Sequence, residues 1–482
     1  MLKSRLIINL LSRILILESI LMATSLSFSA YYGYSDFKAI ALSSLITFSC
    51  GIFLFFVTRK TEYNASKREG YLIVTLGWII ISLFGTLPYI LSGAIPDFTD
   101  AFFETMSGFT TTGASILTDI EKIPKGILFW RAMTHWIGGM GIIVLTVAIM
   151  PFLGVGGFQL FAAEVPGISK DKLHPRITET AKRLWGLYAL FTLAETILLV
   201  LGGMNLHESL CHSFATMATG GFSTRNASAA AFSPYIQYVF IVFMFIAGIN
   251  FTLSYLAVIK GDVKKLFKDD EFKFYSTFIL LSAFVIVVVL AVLQHHGVEE
   301  SFRNALFTVV SIITTTGFVN CNYENWGIFG MMLVFILMFI GGSSGSTGGS
   351  VKCIRHLLLI RNASLEFKRL VHPRAVLPVR YNQQSVSKDT ISHVLAFFFL
   401  YVIIFIVSSL LMVAFGSDIE TSMGSVAATL GNVGPGIGHV GPVENYAHLN
   451  IESKWLLSFD MLVGRLELFT VLIIFSKAFW KK

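Results

Sequence analysis

Long apolar runs separated by short polar stretches set the reading of this chain. Crossing the hydrocarbon core of a bilayer as a helix takes about 20 apolar residues. Runs of that kind fall near 7–30, 38–58, 71–92, 127–150, 184–203, 235–259, 274–294, 327–361, 390–415 and 454–478, the eighth broken in its middle. Four further apolar stretches, 99–109, 206–216, 301–313 and 419–430, are too short to cross, and each is followed at once by a glycine turn. Long helix, short re-entrant helix, turn and long helix therefore recur four times, which is the mark of one repeated unit. Non-helical backbone at membrane depth is tolerated only inside protein or against water, so four such turns around one axis predict a water-lined path.

The first run imitates a signal peptide, with Lys3 and Arg5 ahead of an apolar stretch that ends in Ser27-Phe-Ser-Ala30. Arg13 and Glu18 interrupt it, and it is read as the first membrane helix.

Composition agrees with a lipid environment. Hydrophobic residues make up 54% of the chain and charged residues 13%, about half the charged share of soluble domains. The net charge of +7 is a matter of sidedness, because Lys and Arg gather in alternate loops. Arg59, Lys60, Lys67 and Arg68 form one group; Lys170, Lys172, Arg176, Lys182 and Arg183 a second; Lys260, Lys264, Lys265, Lys268 and Lys273 a third. The stretch from Lys352 to Lys388 and the tail Lys477, Lys481, Lys482 join them, which predicts both termini on the cytoplasmic side. Asp97, Asp100, Glu104, Glu208, Glu299, Glu300, Asp418 and Glu420 fall on the other side, around the glycine turns. A topological origin for the basic charge leaves no need for a nucleic-acid partner.

The turns themselves are Phe109-Thr-Thr-Thr-Gly113, Thr216-Met-Ala-Thr-Gly220, Ile313-Thr-Thr-Thr-Gly317 and Leu430-Gly-Asn-Val-Gly434. A dehydrated cation needs oxygens in place of its water shell, and rings of main-chain carbonyls supply them without fixed negative charge. Glycine lets a loop turn carbonyls inward through dihedrals that a Cβ forbids. The preceding half-helices add roughly half a negative charge each at their C-terminal ends. Ordinary glycine turns between helices account for any one motif more readily than for four in register.

These stretches, in the wider forms Ser107-Gly-Phe-Thr-Thr-Thr-Gly-Ala-Ser115, Met217-Ala-Thr-Gly-Gly-Phe-Ser-Thr224, Ile313-Thr-Thr-Thr-Gly-Phe318 and Gly431-Asn-Val-Gly-Pro-Gly436, resemble the Trk/Ktr/HKT superfamily of cation transporters. Within it they are similar to the TrkH/TrkG-type potassium uptake subunits of the bacterial inner membrane. The resemblance covers essentially the whole chain, including two extra N-terminal helices. It implies an all-α polytopic membrane protein: two N-terminal helices (1–70) and four M1-P-M2 repeats (71–182, 183–272, 273–388, 389–482) with pseudo-fourfold symmetry about one pore. It implies a homodimer, and control by a cytoplasmic nucleotide-binding ring of the TrkA type. It assigns the potassium-binding filter to Thr111, Thr112, Gly113; Ala218, Thr219, Gly220; Thr315, Thr316, Gly317; and Asn432, Val433, Gly434. Ala218 and Asn432-Val433 depart from the threonines of the other loops, and one glycine per loop implies looser discrimination against sodium.

The stretch Gly341, Gly342, Ser343, Ser344, Gly345, Ser346, Thr347, Gly348, Gly349 interrupts the eighth run. It lacks the Gly-Lys-Ser/Thr ending of a phosphate loop and cannot sustain a lipid-facing helix. The resemblance makes it a gate lying across the pore. A passive break that lets two helices pack closely is the alternative. Arg465, inside the last run, costs several kcal/mol at membrane depth unless it pairs or faces water. Its expected place is the cavity, holding the glycine-rich stretch by its carbonyls; a structural ion pair with another helix is the plainer reading.

His135, His212, His295 and His296 have no metal-ligand spacing, and Cys50, Cys211, Cys321 and Cys353 form no Cys-x-x-Cys pair. A Cys211–Cys321 disulfide is topologically open. Glu104 and Glu195 read as partners of neighbouring helices, and Trp136-Ile-Gly-Gly-Met-Gly141 and Ala247-Gly-Ile-Asn250 as close helix packing through small residues. The spans contain no constellation of nucleophile, base and metal, so an enzyme is not expected. The loops 151–182 and 352–388 are too short for a nucleotide-binding domain, so such control needs another chain. A symporter driven by sodium or protons is the alternative to a pore; it needs a second ion site of buried acids, and no cluster of them stands out.

Overall fold

A computed structural model describes residues 2–59, 66–144, 173–293 and 297–481. The expected calls at Lys60, 145–150, 151–172 with Lys170 and Lys172, His295, His296 and Lys482 lie outside the described residues.

The described residues are predominantly helical. Helices α1 (Ser4–Tyr31) and α2 (Phe37–Thr58) form an antiparallel hairpin whose close approach rests on Gly51. A Cβ there would lie 2.9 Å from Ile16 Cγ1 and 3.1 Å from the Ile16 nitrogen. Helix α3 (Lys67–Gly85) leads through a Pro88-started turn into α4 (Leu87–Ser92). After α5 (Phe98–Phe109) and α6 (Lys125–Val144) come α7 (Leu173–Leu201), α8 (Leu206–Met217), α9 (Pro234–Ala247), α10 (Phe251–Val258) and α11 (Val263–Lys268). The chain continues with α12 (Asp270–Leu293), α13 (Val298–Ile313), α14 (Gly327–Leu337), α15 (Cys353–Val371), α16 (Lys388–Ala414), α17 (Ile419–Leu430) and α18 (Ile451–Arg465).

Among the described residues six helices are long and apolar enough to cross a membrane, and α9 with α10 would make a seventh span bent by 109°. The four short helices expected from hydropathy are α5, α8, α13 and α17. Side-chain oxygens start three of them: Asp97 accepts from Asp100 N–H at 3.0 Å, Asn205 from Glu208 N–H at 2.9 Å and Asp418 from Thr421 N–H at 3.0 Å. These caps satisfy donors that a helix start leaves open.

Two spans expected to be continuous are not, and a third is broken where expected. The run 235–259 breaks at Gly248-Ile-Asn250, where Asn250 caps α10 by accepting from Thr252 N–H at 2.8 Å; the bend is also closely packed, since a Cβ on Gly248 would lie 2.3 Å from Tyr275 Oη and 2.8 Å from Thr314 Cγ2. The run 454–478 ends as a helix at Arg465, beyond which Glu467 and Leu468 take positive φ (58° and 50°). The break in 327–361 spans 338–352, and α15 then runs on to Val371, so the first half of the expected 352–388 loop is helix. A two-stranded hairpin, β1 (Arg380–Tyr381) and β2 (Gln384–Ser385), follows it.

Apolar side chains gather in two main buried clusters. One joins α7, α9, α12, α13 and α14; the other joins α3, α5, α6, α16, α17 and α18.

Asn205→Ala should lower stability by about 1 kcal/mol through loss of the α8 cap. Thermal unfolding in detergent measures it; an unchanged midpoint would mean that packing alone sets that helix start.

A candidate ion filter and the segment beneath it

Each short helix ends in the same turn. The N–H groups of Thr112, Gly220, Thr316 and Val433 donate to the carbonyls of Ser107, Ala215, Ser311 and Ala428 at 2.7–2.9 Å. Those of Thr111, Thr219, Thr315 and Asn432 donate to the carbonyls of Gly108, Thr216, Ile312 and Thr429 at 2.9–3.1 Å. This is the Schellman pattern, whose left-handed residue is usually glycine. Here it is Thr111 (φ 51°), Thr219 (55°), Thr315 (58°) and Asn432 (52°). A β-branched residue in that region costs about 1–3 kcal/mol. Three threonines placed alike mark a site where geometry outweighs stability.

Two residues further on, Gly113, Gly221, Gly317 and Gly434 also have positive φ (83°, 77°, 79°, 102°). A Cβ on Gly113 would lie 2.1 Å from the Gly220 oxygen, one on Gly221 2.1 Å from the Thr316 oxygen, one on Gly317 2.0 Å from the Val433 oxygen, and one on Gly434 2.7 Å from the Thr112 oxygen. Loop one touches loop two, two touches three, three touches four, and four returns to one. The four loops surround one axis.

This ring shifts the second loop by one residue. The geometric counterparts of Thr111-Thr112-Gly113 are Thr219-Gly220-Gly221, and Ala218 matches Thr110, Thr314 and Gly431 at the helix ends. The reason is His135 on α6. Its ring stacks on Phe222 with centroids 4.0 Å apart, and a Cβ on Gly220 would come within 2.4–2.6 Å of that ring. Where the other loops carry Thr112, Thr316 and Val433, the imidazole takes the side chain's room. Hydroxyls tie the loops internally: Thr110 to Thr112 and Thr314 to Thr316, each at 2.8 Å. Asn432 Nδ2 donates to Thr112 Oγ1 and to the Met461 carbonyl, both at 2.9 Å.

The glycine- and serine-rich stretch lies against the helix C-terminal side of the ring. Thr347 Oγ1 donates to the Met217 carbonyl at 3.0 Å, and Gly349 N–H donates to Thr315 Oγ1 at 2.6 Å. A Cβ on Gly348 would lie 2.9 Å from the Thr314 oxygen, and one on Gly349 2.6 Å from the Gly431 oxygen. Arg465 donates to the Thr347 carbonyl at 2.6 Å and to the Gly138 carbonyl at 3.2 Å. Gly138 in turn leaves room for the Phe109 oxygen, 2.0 Å from where its Cβ would be. So Thr347 to Gly349 meet the ends of α8, α13 and α17, and Arg465 links them to the residue packed on the end of α5. Among the described residues the hydrogen-bond partners of Arg465 are main-chain carbonyls, not a carboxylate on another helix.

The stretch has its own main chain satisfied by protein. Ser343 N–H donates to the Gly248 carbonyl at 2.8 Å and Phe251 N–H to the Gly345 carbonyl at 3.1 Å, so the bend between α9 and α10 is its seat. Glu271 accepts from Ser344 N–H at 2.6 Å and Ile354 N–H at 3.1 Å, and Lys352 donates to the Gly348 carbonyl.

On the other side of the ring a cavity of about 100 Å³ is lined by Gly113, Gly221, Gly317, Gly434, Arg131 and Tyr446 among others. Glu104 is not part of this mouth: it is fully buried and paired with Arg131 at 2.6 Å. Arg131 was legible as an intramembrane charge in the run 127–150, the signal that singled out Arg465. Burial raises the Glu324 carboxyl above the ordinary carboxylate range, and Glu420 and Glu444 push the same way, against the hydrogen bond from Gly438 N–H. Cys211 and Cys321 are free thiols. Among the described residues no group of three His, Cys, Asp or Glu is placed to hold a metal. A cation at this ring would be met by main-chain and hydroxyl oxygens.

The profile of the TrkH family, described as cation transport protein, matches residues 37–482. The Trk system potassium uptake protein TrkH of Escherichia coli strain K12 is 41% identical over 453 residues, 92% of each chain. The Trk system potassium uptake protein TrkG of the same strain is 33% identical over 471 residues, 96% of each. The crystal structure of the potassium transporter TrkH from Vibrio parahaemolyticus superposes over 100% of both chains, with a TM-score of 0.92 and 37% identity.

Gly220→Ala should cost about 1–3 kcal/mol through overpacking, and His135→Ala in the same chain should restore stability. Thermal unfolding of the single and double variants tests the coupling; additive effects would contradict it.

Proposed function

The chain belongs to the TrkH family of cation transport proteins, and on that premise we propose that it takes up potassium across the bacterial inner membrane through the ring of four loops. The observation that carries this reading is the closed circuit of glycine-to-carbonyl contacts from Gly113 round to Thr112. Thr111 to Gly113, Thr219 to Gly221, Thr315 to Gly317 and Asn432 to Gly434 form the filter, with Gly221 as the glycine of the second loop. Potassium sheds water against their oxygens, and the C-terminal ends of α5, α8, α13 and α17 lower the cost of holding a cation there. Potassium is the transported ion and no organic cofactor takes part; the relatives are potassium transporters, not enzymes.

The stretch from Gly341 to Gly349 is the gate. Its contacts with Thr315, Met217 and Arg465 support a closed position across the path. Arg465 closes the path in two ways, by its positive charge and by its grip on the Thr347 carbonyl. The chain works as a homodimer with both termini cytoplasmic, and a nucleotide-binding ring of the TrkA type moves the gate. The names of its relatives, as parts of a Trk system, fit a partner of this kind. Helix α15 runs directly on from the gate and exposes Arg374 and Arg380 beyond its end, a handle on which such a partner would pull.

Arg465→Ala should raise potassium flux per folded protein in liposomes by about tenfold, the scale of one lost charge–dipole contact of roughly 1.4 kcal/mol; unchanged flux would sink the gate assignment. Replacing Lys368, Arg374 and Arg380 with glutamine should abolish nucleotide control by the partner and leave partner-free flux intact. Retained control would place the handle elsewhere.

A further inference from the structure

The four filter loops are not braced alike. Counting back seven positions from each left-handed residue gives Glu104, His212, Thr308 and Ser425; counting four forward gives Ser115, Ser223, Val319 and Gly436. In the first repeat these two positions are joined by Ser115 Oγ donating to Glu104 at 3.0 Å, and in the second His212 Nε2 meets Ser223 Oγ at 3.0 Å. Only the first places a carboxylate behind the loop, and a guanidinium answers it. Arg131 Nε lies 2.6 Å from Glu104 Oε1, Arg131 NH2 donates to Ser115 Oγ at 3.0 Å, and Arg131 NH1 donates to the Ser223 carbonyl at 3.0 Å. Its guanidinium carbon lies 3.5 Å from the centroid of the Phe222 ring. Glu104 accepts in addition from Ile116 N–H at 2.9 Å. Both side chains are at most 2% exposed.

We propose that the Glu104–Arg131 pair is a positioning brace that fixes the outer ends of the first and second filter loops against each other and so sets how well the ring tells potassium from sodium. The inference rests on reading the ring as the filter. The brace lies where Gly113 meets the Gly220 carbonyl, and each arm of Arg131 reaches the strand two residues beyond a filter glycine, Ser115 after Gly113 and Ser223 after Gly221. A buried ion pair adds little net stability over an apolar pair of the same size, so a pair kept here acts through geometry. Groups that orient ion ligands without touching the ion alter ion affinity by about 10- to 100-fold when they are changed. The other interfaces are held differently: Tyr323 Oη donates to the Gly436 carbonyl at 2.6 Å and Glu324 accepts from Gly438 N–H at 2.9 Å between loops three and four, Arg303 donates to Gln237 at 2.6 Å between the second and third repeats, and Lys454 pairs with Asp100 at 2.6 Å between the fourth and first. Among the described residues, the first interface is the one where both members of the ion pair are fully buried beside the filter loops.

The test is the potassium-to-sodium flux ratio of the full chain in liposomes, for Glu104→Gln, Arg131→Lys and Ser115→Ala beside Gly434→Ser. The last places a side chain at the least crowded filter glycine. The brace predicts a ratio lowered about tenfold by Glu104→Gln and Arg131→Lys, with Ser115→Ala between them and the parent. If Gly434→Ser shifts the ratio while the other three keep the parental value, the brace is overturned and the filter reading stands. If Gly434→Ser also leaves the ratio unchanged, the filter reading falls and the brace with it. Ser115→Ala removes one hydroxyl only and decides the matter should the two charge variants fail to fold.

Discussion

The contact on which this structure depends is main chain against main chain: a glycine α-carbon of one loop set on a carbonyl oxygen of the next, four times round. At Gly113, Gly221 and Gly317 a Cβ would stand about 2 Å from that oxygen, which leaves no side chain admissible. Everything around the ring serves to keep backbone at that spacing in a place where water cannot repair a lost hydrogen bond. The Schellman turns of α5, α8, α13 and α17 settle the last carbonyls of each helix and deliver the loops at one level. The two apolar clusters press the loops together from either side. The cost is visible in three threonines with positive φ, a price that a purely structural turn would avoid with glycine.

Symmetry ends at the main chain. Side chains differ from loop to loop, and they decide how the ring is held and closed. His135 occupies the space beside Gly220 that a side chain fills in the other loops. Asn432 reaches across to Thr112, a link made between loops four and one. Beneath the ring the single stretch between α14 and α15 meets three of the four helix ends, and Arg465 at the end of α18 brings in the remaining one. The bend at Gly248 to Asn250 belongs to the same device, since the Gly248 carbonyl accepts from Ser343 N–H and Phe251 N–H donates to the Gly345 carbonyl. An asymmetric segment under a nearly symmetric ring is the arrangement that suits the gate proposed for it.

Much of this was legible in the sequence. The four short helices stand out because an apolar stretch of about twelve residues ending in glycine cannot cross a bilayer, and their bounds fall within a few residues of those read from hydropathy. The register of the second loop was not legible. Gly220 and Gly221 are adjacent, and only the position of His135 on another helix decides which one plays which part. Hydropathy is blind to direction, so the 109° turn after Ala247 and the end of helix at Arg465 passed as continuous spans. The charge count grouped Glu104 with the outer-side acids around the glycine turns because its partner Arg131 lies twenty-seven residues away, in a different helix. Arg465 was read from sequence as a residue gripping the glycine-rich stretch by its carbonyls, since an unpaired arginine among apolar residues has few other places to go; its bond to the Thr347 carbonyl is of that kind.

The central claim is that ions move through this chain down their own gradient, between oxygens of the main chain, with no second ion coupled to them. Potassium uptake into liposomes holding the purified protein alone, with and without an imposed sodium or proton gradient, tests it most directly. The account predicts uptake that follows the potassium electrochemical gradient and is indifferent to the other two. Uptake against that gradient, driven by sodium or protons, would contradict it and make the chain a coupled transporter.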